Sequence, residues 1–279
     1  PVPRSVIATS REGLDAALAR LRFPLLLKPT VKTGPWQSAS PVDKALRLEG
    51  PEDLARVDFD LFAVAPAYLI SEWIPGADHD VLFCLVYLDE RSEVVASFTG
   101  RKLLQYPRLT GSTAICVDRP DAELEELTAR LFKEAGCRGL ASLEVKRSAH
   151  DGRYVITEPT VGRPNLQSGA AVLGGVNLHG IAMRHAWGRS WDDLVGRRRR
   201  CLWIEERALF SVMTGSYGVP RHLGLVARKA LAGRRIGGAY FRVGDASPFT
   251  SMTGDWLRRR TRRLLHGPGS SRPSEAPVE

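Results

Sequence analysis

The chain has 279 residues, of which 43% are hydrophobic and 25% are charged, a composition typical of a globular protein of one or two domains. Its net charge of +9 is uneven: residues up to Met183 carry 21 Lys and Arg against 23 Asp and Glu, and residues from Arg184 onward carry 19 against 8. No apolar run is long enough to span a bilayer, since the longest covers only Val81 to Leu88. The four cysteines form no CxxC pair, so we expect reduced thiols and a cytoplasmic protein.

Residues 1–71 predict a small α+β unit. Thr9 or Ser10 is suited to cap a helix, and the apolar strand Phe23–Leu27 follows it and ends at Lys28. Residues 30–40 form a polar, Gly- and Ser-bearing stretch that we interpret as a loop between strands. The strand Ala45–Leu48 and a second helix complete the unit.

Residues 72–189 predict a larger unit built on a sheet. Its strands, counting the one that enters it, are Tyr68–Trp73, Val81–Tyr87, Val94–Phe98, Leu140–Lys146 and Tyr154–Thr157, and its helices are Ala122–Ala135 and one or two within Asn165–Arg189. Residues 190–265 predict a basic helical extension, because arginine runs alternate there with helix-like segments. The Pro/Gly/Ser-rich residues 266–279 predict a disordered tail.

A predicted hairpin holds two carboxylates. Strands around Glu144 and Glu158 flank the turn Asp151-Gly152, so these two side chains can end up side by side. Neighbouring carboxylates repel each other, and a Mg²⁺ ion shared with substrate phosphates is a common reason for their close approach. The alternative is a solvent-facing hairpin with two unrelated glutamates.

Two further stretches carry candidate cations. Lys28 stands at the end of a strand between Pro24 and Pro29, a position from which an ammonium group can reach a phosphate. Arg101 and Lys102 alternate along a strand, so only one of them can point into a cleft, and we choose Lys102.

Taken in order, the Lys28 strand, the turn Pro75-Gly76 and the Glu144/Glu158 hairpin resemble the ATP-grasp superfamily, most closely its carboxylate–amine ligase branch. The resemblance runs from about Val2 to Arg189. It implies an α+β fold of two subdomains with a nucleotide cleft between them. It also implies an ATP- and Mg²⁺-dependent ligase that joins a small-molecule carboxylate to an amine or thiol through an acyl phosphate. Members usually carry a further amino-terminal domain before this point, so we expect a fragment, the product of a truncated gene prediction or one half of a split enzyme.

The resemblance assigns roles around the nucleotide. It places Lys28 and Lys102 on phosphates, Gly34 and Ser38 in a phosphate-covering lid, the backbone of Glu72, Trp73 and Ile74 on the adenine, and Asp78, or by register Asp80, on the ribose.

The resemblance also assigns the metal and the reacting groups. Glu144 and Glu158 match the two metal-ligand carboxylates, and Thr160 stands where the family commonly has an asparagine ligand. A hydroxyl is a weaker Mg²⁺ ligand than an amide oxygen, which bears most on a second metal. Arg163 matches an arginine that can hold the transferring phosphate or a substrate carboxylate, and with Lys102 it is the predicted catalytic pair.

Two other functions stay open. One is an ATP-grasp module that binds ATP without catalysis. The other is binding of nucleic acid or an anionic membrane through the basic C-terminal region. We do not expect the second as the main function, because arginine clusters usually form solvated faces and this region has few interleaved aromatic residues.

Overall fold

The computed structural model of the chain describes residues 1–39, 45–163, 165–214, 224, 228 and 233–266. The amino-terminal part forms an antiparallel four-stranded sheet in the order β1-β4-β2-β3. Its strands are β1 Ser5–Ala8, β2 Leu25–Pro29, β3 Leu46–Leu48 and β4 Tyr68–Glu72. Its helices are α1 Arg11–Arg20, α2 Gly34–Ala39, α3 Glu52–Ala55 and α4 Leu61–Val64. We call this part the small subdomain.

Alternation along β2 divides the small sheet into a core face and an open face. Leu25 and Leu27 are fully buried, whereas Leu26 and Lys28 point to the other face and are half-buried. Helix α1 covers the core face, and it begins at Ser10, whose hydroxyl accepts the Gly13 N–H at 3.2 Å. The core therefore leaves Lys28 on the face that α1 does not cover.

The large subdomain is built on a seven-stranded sheet in the order β11-β10-β7-β6-β5-β8-β9. Its strands are β5 Val81–Leu88, β6 Val94–Tyr106, β7 Ser112–Asp118, β8 Gly139–Arg147, β9 Tyr154–Val161, β10 Cys201–Ile204 and β11 Arg235–Gly238. Its helices are α5 Ala122–Glu134, α6 Ser168–Leu173, α7 Leu178–Ala186, α8 Glu206–Thr214 and α9 Ser247–His266.

Strand β5 forms the centre of this sheet, and all eight of its residues are buried. It is apolar on both faces because both are covered: Leu124 and Phe132 of α5 belong to the core on one side, and Ala170 and Ile181 of α6 and α7 to the core on the other. Within the described residues, no helix combines the length and hydrophobicity needed to cross a bilayer.

Two strands are longer than the sequence predicts. Strand β6 continues to Tyr106 through register irregularities between Lys102 and Gln105. Strand β9 continues to Val161 and includes Pro159, which a strand tolerates here because β9 lies at the edge of the sheet.

The prediction of a basic helical extension over residues 190–265 is corrected in part, because the described residues there form strands as well as helices. Two strands from this region extend the large sheet, since β10 pairs antiparallel with β7 and β11 pairs parallel with β10. Leu202 and Trp203 are buried there, so the short apolar run that the arginines flank is a core strand. Helix α9 ends at His266, and the predicted tail beyond it lies outside the described residues.

The predicted lid loop is also corrected. Residues Gly34–Ala39 form helix α2, and Trp36 is fully buried in the small core, where it packs against Phe59 and Tyr68. A buried indole anchors a segment through its large apolar area. The last residue of that stretch, Ser40, lies outside the described residues.

We predict that Leu27→Ala lowers the free energy of unfolding by about 2–5 kcal/mol, because it leaves a cavity in the small core. Leu26→Ala removes the same atoms from the open face of the same strand and should cost clearly less. Denaturant unfolding of both variants measures the difference. Equal costs would contradict the two-faced strand.

Candidate functional site

Glu144 and Glu158 stand directly opposite each other on β8 and β9. Ser142 and Thr160 form the next pair on the same face, because alternate residues of paired strands share a face. The Glu144 side chain is 23% exposed, Glu158 is exposed, and Thr160 is buried. The structure thus brings the three predicted metal ligands to one face at the sheet edge. Their role as ligands stays a prediction.

Lys102 joins this cluster from β6. Its Nζ lies 2.7 Å from Glu144 Oε2 and donates to Gln105 Oε1 at 3.1 Å, and the whole residue is 3% exposed. Arg101 points to the other face, where its Nε donates to the His79 carbonyl. The alternation therefore places Lys102, and not Arg101, beside the carboxylates.

Asp78 has a different environment from the one predicted for a ribose contact. It is 2% exposed, and its carboxylate accepts the Gln105 N–H at 3.2 Å and the Leu109 N–H at 2.8 Å. Arg108 Nε lies 2.7 Å from it. The carboxylate is therefore committed to the turn after β6. Asp80, the alternative by register, has a side chain that is 28% exposed, and its Oδ2 accepts the Ala77 N–H at 2.8 Å. A ribose contact by either residue stays a prediction.

Trp73 is the point at which the two subdomains meet. Arg47 Cζ and Lys146 Nζ each lie 4.5 Å from the centroid of its ring. Arg47 is on the Lys28 face of the small sheet by register, and Lys146 is two residues beyond Glu144 and so on its face. The face that carries Lys28 and the face that carries Glu144 therefore both turn toward Trp73.

Lys28 is half-buried and makes no side-chain ion pair or hydrogen bond with any residue that the structure describes. Among the described residues, nothing compensates its charge on the open face. In the segment that links the sheets, the Glu72 N–H donates to the Arg4 carbonyl and the Trp73 N–H to the Pro24 carbonyl, both at 2.9 Å. These two N–H groups are therefore already used within the protein. Pairing of the remaining backbone groups of Glu72, Trp73 and Ile74 with the adenine base stays a prediction.

Three predicted residues are not drawn into this cluster by any described contact. Gly34 and Ser38 are exposed on α2, which packs through Trp36. Arg163 is exposed in the turn after β9, where Gly162 has a positive φ of 72°. Contact of Arg163 with a substrate stays a prediction.

Sequence reasoning missed Lys146, Arg47 and Gln105. Lys146 could have been found, because a residue two positions from Glu144 on a strand shares its face. Arg47 and Gln105 carried no such signal, since their placement depends on strand pairing and on an irregularity in β6.

Lys146 is the strongly perturbed cation of the cluster. Burial lowers its pKa to about 8, because the ammonium loses water. Asp80 and Asp78 oppose this shift, and Arg47 adds to it by repulsion.

The donor set fits a hard cation. Two carboxylates and one hydroxyl offer the oxygen atoms that Mg²⁺ prefers, and one or two protein carboxylates are a usual number when substrate phosphates complete the shell. Among the described residues, no three or more His, Cys, Asp or Glu side chains are grouped so that they could hold a metal ion by themselves. The Lys102 ammonium on Glu144 shows that this position already attracts a cation.

We compared the sequence and the structure with known proteins. No family model matches the chain. A D-alanine–D-alanine ligase of Ectopseudomonas mendocina (strain ymp) is 27% identical over 168 residues, which cover 58% of this chain and 50% of the relative. The solved ADP complex of N5-carboxyaminoimidazole ribonucleotide synthetase superposes with a TM-score of 0.57 at 17% identity, over 76% of this chain and 55% of that one. The chain has the ATP-grasp fold.

A further ATP-grasp neighbour is the biotin carboxylase domain of Hydrogenobacter thermophilus 2-oxoglutarate carboxylase, solved with MgADP, ADP and bicarbonate. Its TM-score is 0.55 at 15% identity, over 72% of this chain and 46% of that one. The chain thus spans about half the length of the relatives it matches.

We predict that Lys146→Met is more stable than the wild type at pH 7. In the wild type the folded state must hold a desolvated ammonium whose pKa is about 8, whereas the unfolded lysine titrates near its ordinary value of about 10.4. Between these values the unfolded state binds more protons, so wild-type stability rises with pH relative to the variant. The stability gap should therefore shrink from pH 8 to about pH 10.4.

Denaturant unfolding of both proteins across this window measures the gap. Lys32→Met is the control, because it removes an exposed lysine that lies outside the contacts of Trp73. A Lys146→Met gap that stays constant with pH would contradict the lowered pKa.

Proposed function

We propose that this chain binds ATP with Mg²⁺ between its two subdomains and acts as a ligase that joins a carboxylate to an amine or thiol. The single observation that carries the proposal is the placement of Glu144 and Glu158 as a cross-strand pair, on a face that turns toward Trp73 together with the Lys28 face. The ATP-grasp neighbours solved with ADP and MgADP support the nucleotide and the metal.

Phosphoryl transfer requires positioning and neutralisation of charge more than covalent help from the protein. Lys28 and Lys102 would neutralise phosphate oxygens, and Asp80 would receive the ribose hydroxyls. Mg²⁺ held by Glu144, Glu158 and Thr160 would supply charge neutralisation on the phosphates. Trp73 would cover the end of the cleft near the linking segment, where water must be excluded.

The reaction proceeds in two displacements. A substrate carboxylate oxygen attacks the γ-phosphorus of ATP and releases ADP, which yields an acyl phosphate. The amine or thiol then attacks the acyl carbon, inorganic phosphate leaves, and the nucleophile loses its proton. Arg163, in the exposed turn after β9, would hold the phosphate or the substrate carboxylate in a bidentate contact.

The relatives suggest the substrate class but not its members. D-alanine–D-alanine ligase is named for joining two amino acids, and phosphoribosylamine–glycine ligase is a neighbour with a TM-score of 0.51. We place this chain among ATP-dependent carbon–nitrogen ligases in a cytoplasmic setting. Since it spans about half of its relatives, a further domain is a candidate partner that would help to form the substrate pocket.

A non-catalytic ATP-binding module is the second candidate. Thr160 favours it, because the hydroxyl leaves the metal one weaker ligand than an amide would provide. Phosphate release from ATP in the presence of amino acid substrates separates the two functions. Binding of nucleic acid or membrane through the basic region stays the less favoured alternative. Two of its cations are already paired, Arg198 with Glu125 at 2.8 Å and Arg234 with Asp118.

We predict that Lys28→Met weakens binding of ATP with Mg²⁺ by about tenfold or more, because a charge-assisted contact to phosphate is lost. Thermal unfolding should be unchanged, since Lys28 pairs with no residue that the structure describes. Isothermal titration calorimetry measures the affinity. Lys32→Met, an exposed neighbour, is the matched control. Unchanged affinity in folded Lys28→Met would remove this lysine from the site.

We predict that Glu158→Gln abolishes the Mg²⁺-dependent part of ATP binding and any turnover. The fold should stay intact or become slightly more stable, because two facing carboxylates repel. Titrations of ATP with and without Mg²⁺ separate metal-dependent from metal-independent affinity. Glu123→Gln on α5 serves as the control, since this exposed carboxylate lies outside the cluster. Retention of full Mg²⁺ dependence would refute the paired-ligand assignment.

A further inference from the structure

The ammonium group of Lys102 occupies a place beside Glu144 that a metal ion would also need. Its Nζ is 2.7 Å from Glu144 Oε2, and its side chain is 4% exposed. A buried lysine that is held this close to a carboxylate compensates its charge. Glu144 is thus neutralised from within the protein while Glu158, its cross-strand neighbour, remains exposed.

Gln105 holds the ammonium in this place. Its Oε1 accepts from Lys102 Nζ at 3.1 Å, and its Nε2 donates to Asp78 Oδ1 at 3.2 Å. Both ends of the amide are used, and Gln105 is 3% exposed. Asp78 is fixed in turn by the Leu109 N–H and by Arg108. A chain of buried contacts therefore runs from the turn after β6 to Glu144.

We propose that Lys102 is a resident cation of the metal site, held there by Gln105, and that a divalent ion and this ammonium compete for Glu144. The ammonium that the metal displaces is then free to meet a nucleotide phosphate. The competition between the metal and Lys102 is inferred from the ion pair with Glu144 alone. The contact of the displaced ammonium with a phosphate rests on the proposed function.

The competition follows from charge. Two cations held beside the same carboxylate repel each other, and the repulsion is stronger where water is largely excluded. Lys102 therefore opposes a metal at Glu144 as long as nothing else neutralises it. A triphosphate supplies that neutralisation, so Lys102 should disfavour the metal alone and favour the metal together with the nucleotide.

The proposal predicts that one substitution changes two affinities in opposite directions. Lys102→Met should bind Mn²⁺ about tenfold more tightly than the wild type without nucleotide, because the competing charge is gone. The same variant should bind ATP with Mg²⁺ about tenfold more weakly, because a phosphate partner is lost. A lysine that contacts only phosphate would leave the first affinity unchanged.

Mn²⁺ titration followed by electron paramagnetic resonance measures the metal alone, and calorimetry measures ATP with Mg²⁺. Lys102→Arg keeps the charge and should keep the weak Mn²⁺ affinity of the wild type. Arg101→Met is the matched control, since it removes a neighbouring cation that faces the other side of the sheet. Lys102→Gln, a neutral polar variant, replaces Lys102→Met if the latter does not fold.

Mn²⁺ affinity without nucleotide that is equal to or weaker than that of the wild type, in folded Lys102→Met or Lys102→Gln, would overturn the proposal. Absence of any Mn²⁺ binding to the neutral variants would overturn it as well. If Mn²⁺ affinity rises but neither the wild type nor any variant binds ATP, the resident cation stands and the proposed function fails.

Discussion

Repulsion between two carboxylates is the interaction on which the rest of the site depends. The antiparallel register of β8 and β9 places Glu144 opposite Glu158, and no rearrangement of side chains alone can change that register. The protein compensates one of the two charges with a buried ammonium and leaves the other in water. This division explains why Lys102 is almost inaccessible although lysine side chains are usually exposed.

The indole of Trp73 is contacted by both sheets. It belongs to the segment that leaves β4, and it is contacted by one cation from each sheet. Cation–π contacts of this kind are worth about 0.5–2 kcal/mol each. Two such contacts can bias the distance between the subdomains without fixing it, which suits the proposed entry of a nucleotide between them.

Features that depend on residues close together in the sequence were predictable, and features that depend on contacts between distant residues were not. The hairpin with Glu144 and Glu158 was predictable, because a turn at Asp151-Gly152 and alternating strands are local signals. The burial of Asp78 was not predictable. Asp80, two residues further along the chain, fits the same pattern, and only the fold decides which of the two carboxylates is buried. Helix α2 and the strands β10 and β11 escaped prediction because distant packing, through Trp36 and through β7, determines them.

The position of β9 at the border of the large sheet has a consequence for association between molecules. A border strand exposes backbone groups that can recruit a strand from another copy of the chain and start aggregation. Here Pro159 lacks an N–H to offer, and the exposed charge of Glu158 sits beside it. The residue proposed to hold the metal thus also places a charge at the border of the sheet, where a strand from another molecule would have to add.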